Sequence, residues 1–186
     1  TADDRIELDT ANMAFGGYFS SRLNLNLRED KGWSYGSRSN FVEATGPRPW
    51  ILSAPVQTDK TVEALQEIRA EITRFVSDQP LTDAEFAKIR DRDVRAMPGR
   101  YESNAAVAGA IAENLVYGRP DDYVSTLKAR LESQTLEGVR GAAQRVIDPQ
   151  HLTWVIVGDL AKIEAPIRAL GLGAVEVLDR DGRTLR

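Results

Sequence analysis

The stretch Gly16–Tyr35, GGYFSSRLNLNLREDKGWSY, decides how this chain is read. A helix runs into Gly16-Gly17, which ends it. A short amphipathic helix over 20–29 follows, with Leu23 and Leu27 spaced i, i+4. A charged turn, Glu29-Asp30-Lys31, then leads into a strand that starts at Tyr35. Arg28 and Tyr35 stand seven residues apart across that turn. A helix-to-strand reversal can bring such a pair to one rim of a sheet. Together they offer a fixed, planar fork of cationic donors and a phenolic hydroxyl, which suits them to gripping carbonyl oxygens. On spacing alone the alternative stays open: a surface arginine favoured by the helix macrodipole and a half-buried strand tyrosine.

Outward from this stretch, residues 3–15 read as a helix with Ile6, Ala11, Ala14 and Phe15 in an apolar stripe. Strands near 34–43 and 49–57, separated by the turn Thr45-Gly46-Pro47, read as an antiparallel hairpin. Residues 59–77 keep a 3.6-residue period through Val62, Leu65, Ile68, Ile72, Phe75 and Val76, so a helix is predicted. Thr82-x-x-Glu85 is a capping box that opens a helix at 83–97, and Pro98-Gly99 breaks or kinks it. The alanine-rich segment 101–117 suits a helix buried in tight packing. Helices follow over 121–132 and 136–147, with Thr135 as N-cap of the second. A strand at His151–Val157, a helix at 160–170 and a strand near 174–178 complete the order. This order gives an α+β class: a two-layer fold with a mixed, mostly antiparallel sheet and helices packed on one face.

The chain has 186 residues, which suits one domain with a sizeable core. Its net charge is −4 with both signs interspersed, so the basic stripe of a nucleic-acid binder is absent. With no cysteine, disulfides, thiolate metal sites and a cysteine nucleophile are excluded. No run is long enough to span a bilayer as a helix. His151 is the one histidine, and zinc catalysis needs about three protein ligands plus an open position. His151 is therefore read as structural, and no metal ligand or cofactor-binding residue is assigned. Gly16-Gly17 reads as a helix C-cap and tight turn in preference to an anion-binding or close-approach loop. Arg22 and Arg38 read as solvated or ion-paired. Phe15, Tyr18, Phe19 and Trp33 read as core packing in preference to a pocket wall.

The residues Gly16, Gly17, Phe19, Ser20, Ser21, Arg22, Leu23, Leu27, Arg28, Gly32 and Tyr35 stand in an order that resembles the C-terminal, non-zinc-binding domain of pitrilysin/insulysin-type zinc metallopeptidases. Mitochondrial processing peptidase is similar in this respect. Pro98–Glu102, the helix ending Val116-Tyr117-Gly118, Asp122-Tyr123 and Val155–Asp159 resemble later parts of that domain. The resemblance implies one C-terminal domain over 1–186 that lacks a leading strand or strands. An unpaired sheet edge of that kind would invite self-association.

The resemblance further implies the substrate-binding half of a zinc-dependent endopeptidase acting on peptides or unfolded segments. Zinc, through a His-x-x-Glu-His helix, is expected on an N-terminal half, fused or separate. Arg28 and Tyr35 would bind the substrate carbonyl and the developing oxyanion, and this chain alone would not cleave peptides. The periplasm is slightly favoured over the cytoplasm. Two other readings remain open: a non-catalytic structural homologue of the respiratory-complex core-subunit type, and a peptide-binding module.

Overall fold

The computed structural model describes residues 4–185. Helix α1 spans Arg5–Asn12 and runs directly into a π-helical turn at Met13–Gly17. Helix α2, Arg22–Asn24, likewise widens into a π turn over Leu25–Asp30, where the Lys31 N–H reaches back to the Asn26 carbonyl. The expected hairpin forms from β1, Arg38–Phe41, and β2, Trp50–Ser53, antiparallel in the register Arg38–Ser53 to Phe41–Trp50. Then follow α3 (Thr61–Val76), α4 (Asp83–Arg100), α5 (Asn104–Val116), α6 (Tyr123–Glu132), α7 (Leu136–Val146) and α8 (Leu160–Ala169).

The main core joins α1, both π turns, α3, the start of α4 and α7. Phe15, Leu23, Leu27 and Val139 are fully enclosed there. From α3 it receives Ile68, Ile72 and Phe75, at the period the sequence shows. Each such side chain contributes roughly 1.5–3 kcal/mol when removed from water. Phe15 packs against both Trp50 and Phe75, with ring centroids 5.4 and 5.2 Å away, and so ties the hairpin to the helical layer. The Thr82–Glu85 capping box is complete, and Thr135 caps α7 through the Gly138 N–H.

Four expectations are corrected. Helix α4 passes through Pro98 and ends only at Arg100, because a proline in the last turn removes one donor with little helix left to break. Helix α5 has no buried residue: Ile111 is 57% and Leu115 77% exposed. Its uniform small-apolar composition carries no stripe that would fix a packing face. The segment 151–157 is not in a ladder, and neither is 174–178 beyond an isolated bridge from Leu178 to Thr184. Among the described residues the sheet therefore has two strands. Finally, Tyr35 lies in a bend between the Ser34–Val56 bridge and β1, not inside a strand.

The fold remains α+β, a helical layer over a small antiparallel sheet. No helix of the described residues is long and apolar enough to cross a membrane.

Candidate functional site

Two helix termini and the hairpin enclose an open cleft of about 590 Å³. The π turn at Met13–Gly17 supplies one wall, because the sequence stops a regular helix with two residues of low helix propensity. Neither glycine adopts a left-handed conformation, so the C-cap reading is replaced by close approach. A Cβ on Gly16 would lie 2.4 Å from Ser39 Oγ and 2.8 Å from the Ser39 main-chain nitrogen. The missing side chain lets the turn press directly against β1.

The opposite wall is the turn at Leu25–Asp30. Leu27 is sunk in the core and sets the rotation of this turn, and the next residue, Arg28, lines the cleft. Its guanidinium carbon lies 4.3 Å from the centre of the Phe19 ring and 5.7 Å from that of Tyr35. Stacking of this kind uses the face of the cation and leaves the N–H donors around its edge. Glu29 approaches one end at 3.5 Å, and no other acceptor among the described residues engages the group. Tyr35 is 93% exposed and lines the same cleft. The structure thus brings together the two residues singled out from the sequence.

Asn24 fixes the geometry between them. Its Oδ1 accepts from the Ser37 main-chain N–H at 2.9 Å, and its Nδ2 donates to the Phe19 carbonyl at 2.8 Å. Ser34 Oγ donates to the Pro55 carbonyl and accepts from the Gly36 N–H, which pins the Tyr35 bend to the hairpin. Both residues escaped the sequence reading. The one available signal, for Asn24, was an asparagine set among Leu23, Leu25 and Leu27, a pattern that it shares with Asn26.

Other sequence readings divide. Arg22 is ion-paired as expected: Nε lies 2.7 Å from Glu85 Oε1, and the group also donates to the Gln79 and Pro80 carbonyls. Burial pushes the Glu85 carboxyl up, but hydrogen bonds from Arg22 and Thr82 outweigh it and hold the group at about 2. Arg38 lines the cleft, and no carboxylate among the described residues pairs with it. It is a second cation beside Arg28. Phe15 is core as expected and Tyr18 and Trp33 pack against that core, whereas Phe19 is 66% exposed and forms cleft wall.

His151 lies on the surface with Nδ1 2.6 Å from Asp148 Oδ2. The Asp148 carboxyl is held below its usual range, first by the Gln150 main-chain N–H and then by the imidazole. A zinc site does not fit this pair. The described residues hold no group of three histidine, cysteine, aspartate or glutamate side chains that could supply the remaining ligands.

Comparison with known proteins agrees with this architecture. The family model described as the peptidase M16 inactive domain matches residues 1–92. A peptidase M16 inactive domain from Pseudomonas fluorescens superposes with a TM-score of 0.71 at 21% identity, over 78% of this chain and 35% of that one. The inactive peptidase domain of a Bordetella parapertussis protein gives 0.65 at 23% identity over 76% of each chain. The periplasmic protease PqqL of Escherichia coli gives 0.66 at 18% identity, over 76% of this chain and 15% of that one. This chain thus spans about a third of the Pseudomonas chain and less of PqqL. No curated protein matches it. The match to the peptidase M16 inactive domain thus lies in residues 1–92, the stretch that holds the cleft and the Gly16–Tyr35 pattern, and the fold is that of these inactive domains.

Proposed function

We propose that this chain is the C-terminal, substrate-binding half of a zinc-dependent metalloendopeptidase, and that Arg28 and Tyr35 hold the peptide. The observation that carries this reading is the meeting of the Arg28 guanidinium and the exposed Tyr35 at one open cleft. Arg28, stacked between two rings, is oriented before substrate arrives and directs its edge donors at a peptide carbonyl. Tyr35 donates its hydroxyl to the carbonyl that is attacked and follows it as negative charge grows. Donors fixed in advance act strongly on such charge when the partner half closes off water. Arg38 adds positive potential along the same wall.

Zinc belongs to the N-terminal half, fused or separate, because His151 and Asp148 cannot hold it alone. Activation of the attacking water is chemistry of that half. The family resemblance favours a periplasmic setting over a cytoplasmic one, and the periplasmic location of PqqL, which shares this fold, is consistent with it.

Titration of the complete enzyme with an unfolded peptide tests the reading. Arg28→Ala and Tyr35→Phe should each weaken turnover, with zinc content unchanged. A peptide cleaved equally well by both variants would refute it.

A further inference from the structure

The chain carries 28 acidic and 24 basic residues, yet the Arg28 cleft has the opposite sign. Arg28 and Arg38 line it, and no aspartate or glutamate does. The two arginines are held differently. Arg28 is stacked between Phe19 and Tyr35 and meets Glu29 at 3.5 Å. Arg38 is exposed, and among the described residues no carboxylate, carbonyl or aromatic ring engages its guanidinium.

The backbone beneath Arg38 is nonetheless fixed. Ser39 and Phe41 are buried, so strand alternation turns Arg38 and Asn40 outward. On one side of Arg38 the Ser37 N–H donates to Asn24 Oδ1 at 2.9 Å. On the other the Ser39 carbonyl accepts from Asn12 Nδ2 at 2.9 Å. A free guanidinium thus stands on a rigid base. Positive charge continues past Tyr18, which borders the cleft: Lys88 Nζ and the Arg92 guanidinium carbon lie 5.5 and 5.6 Å from the centre of its ring. Asp93 approaches Arg92 at 3.7 Å, whereas Lys88 has no carboxylate partner among the described residues.

We infer that the cleft selects peptides that carry a carboxylate close to the carbonyl held by Tyr35, and that Arg38 is the residue that recognises it. This rests on the proposed peptide-binding role of Arg28 and Tyr35 and adds the class of peptide. Arg28, already stacked, serves the main-chain carbonyl. Arg38 presents its whole planar fork, which matches the two oxygens of a carboxylate with parallel hydrogen bonds. Tyr35 and Arg38 are three residues apart, a chain distance of at most about 11 Å. An extended peptide advances about 3.3 Å per residue, so the carboxylate belongs within about three positions of that carbonyl. An aspartate or glutamate side chain and the free C-terminus of a short peptide offer the same group. A lysine or arginine in that place would meet like charge.

The test is an NMR titration of the 186-residue chain, followed at the side-chain Nε–H signals of Arg28 and Arg38. Three alanine-rich peptides of eight residues, acetylated and amidated, carry two glutamates, two glutamines or two lysines at their centre. A fourth is the glutamine peptide with a free C-terminus. At about 20 mM salt the glutamate peptide should bind about tenfold more tightly than its amidated glutamine counterpart, and the lysine peptide most weakly. About 0.5 M salt should narrow that preference. Arg38→Gln should cut it by about threefold or more, and Arg38→Lys should retain a preference for glutamate. A gain for the free C-terminus in place of the glutamates would assign the carboxylate to the peptide end, with Arg38 still its partner. Equal affinities for all four peptides would overturn the inference and leave the cleft's hold on peptide standing. A preference unchanged in Arg38→Gln would overturn it too, because another cation would then be the selector. No saturable shift with any peptide would refute both the inference and the peptide-binding role.

Discussion

Asn24 bridges to Ser37 across the base of the Arg28 cleft: its side-chain oxygen lies 2.9 Å from the Ser37 main-chain nitrogen. Both residues are buried. Asn24→Ala therefore leaves the Ser37 N–H and the Phe19 carbonyl without partners and should cost about 1–3 kcal/mol. Asn24→Asp keeps the acceptor for Ser37 but sets a carboxylate oxygen against the Phe19 carbonyl, so at neutral pH it should also destabilise, and part of the loss should return as the carboxyl protonates in acid. Urea unfolding of the three proteins measures this. Equal stability of Asn24→Ala and the parent would show that the bridge contributes nothing.

Gly16 should tolerate no side chain. A Cβ there meets main-chain nitrogen as well as a hydroxyl of Ser39, and backbone cannot step aside as a flexible side chain can. Gly16→Ala should lose roughly 1–3 kcal/mol, the usual range for overpacking. Gly46→Ala is the control, because nothing lies within 4 Å of its added methyl. Thermal melts should separate the two, and indistinguishable midpoints would contradict the close approach.

The Arg22–Glu85 pair gives a pH dependence of known sign. The Glu85 carboxyl is held at about 2 in the folded chain against an ordinary value of 4.5. A depressed carboxyl stabilises fully above its unfolded value and loses that contribution as pH falls through the folded value. The stability difference between the parent and Glu85→Gln should thus be constant above about pH 5.5 and shrink between about pH 4.5 and 2. A difference that grows on acidification would refute the assignment.

Helix α5 offers a negative test. Ile111→Ser and Leu115→Ser should each change stability by no more than about 0.5 kcal/mol, because both side chains already meet solvent. A loss of about 2 kcal/mol or more would restore the buried helix that composition alone suggests.

What the sequence made legible follows from how local each signal is. The stripe of α3, the capping box at Thr82 and the cap at Thr135 are written in neighbouring residues, and all three stand in the structure. Arg28 and Tyr35 were readable because the ordered pattern from Gly16 to Tyr35 resembles a known family. The strand at 151–157 was misread for a physical reason. Its alternation is real, but a ladder needs a neighbouring edge, and β2 is separated from it by a cleft. The π turns were invisible because a π turn changes the bonding of a helix without any marker residue. Asn24 and Ser34 act through main-chain partners 13 and 21 residues away, which no local pattern records.

The central claim is that Arg28 and Tyr35 act on substrate from one cleft, and Tyr35→Phe in the complete enzyme tests it most directly. The change removes one hydroxyl from a ring that is almost wholly exposed, so thermal stability and zinc content should not move. The account predicts a fall in kcat/KM of about 10²–10³, with kcat sharing the loss, because the hydroxyl binds the transition state more tightly than the substrate. Arg28→Lys should rescue little of the loss caused by Arg28→Ala, since an ammonium cannot reproduce the planar fork. Undiminished kcat and KM in Tyr35→Phe would contradict the account and leave the ring only as the stacking partner of Arg28.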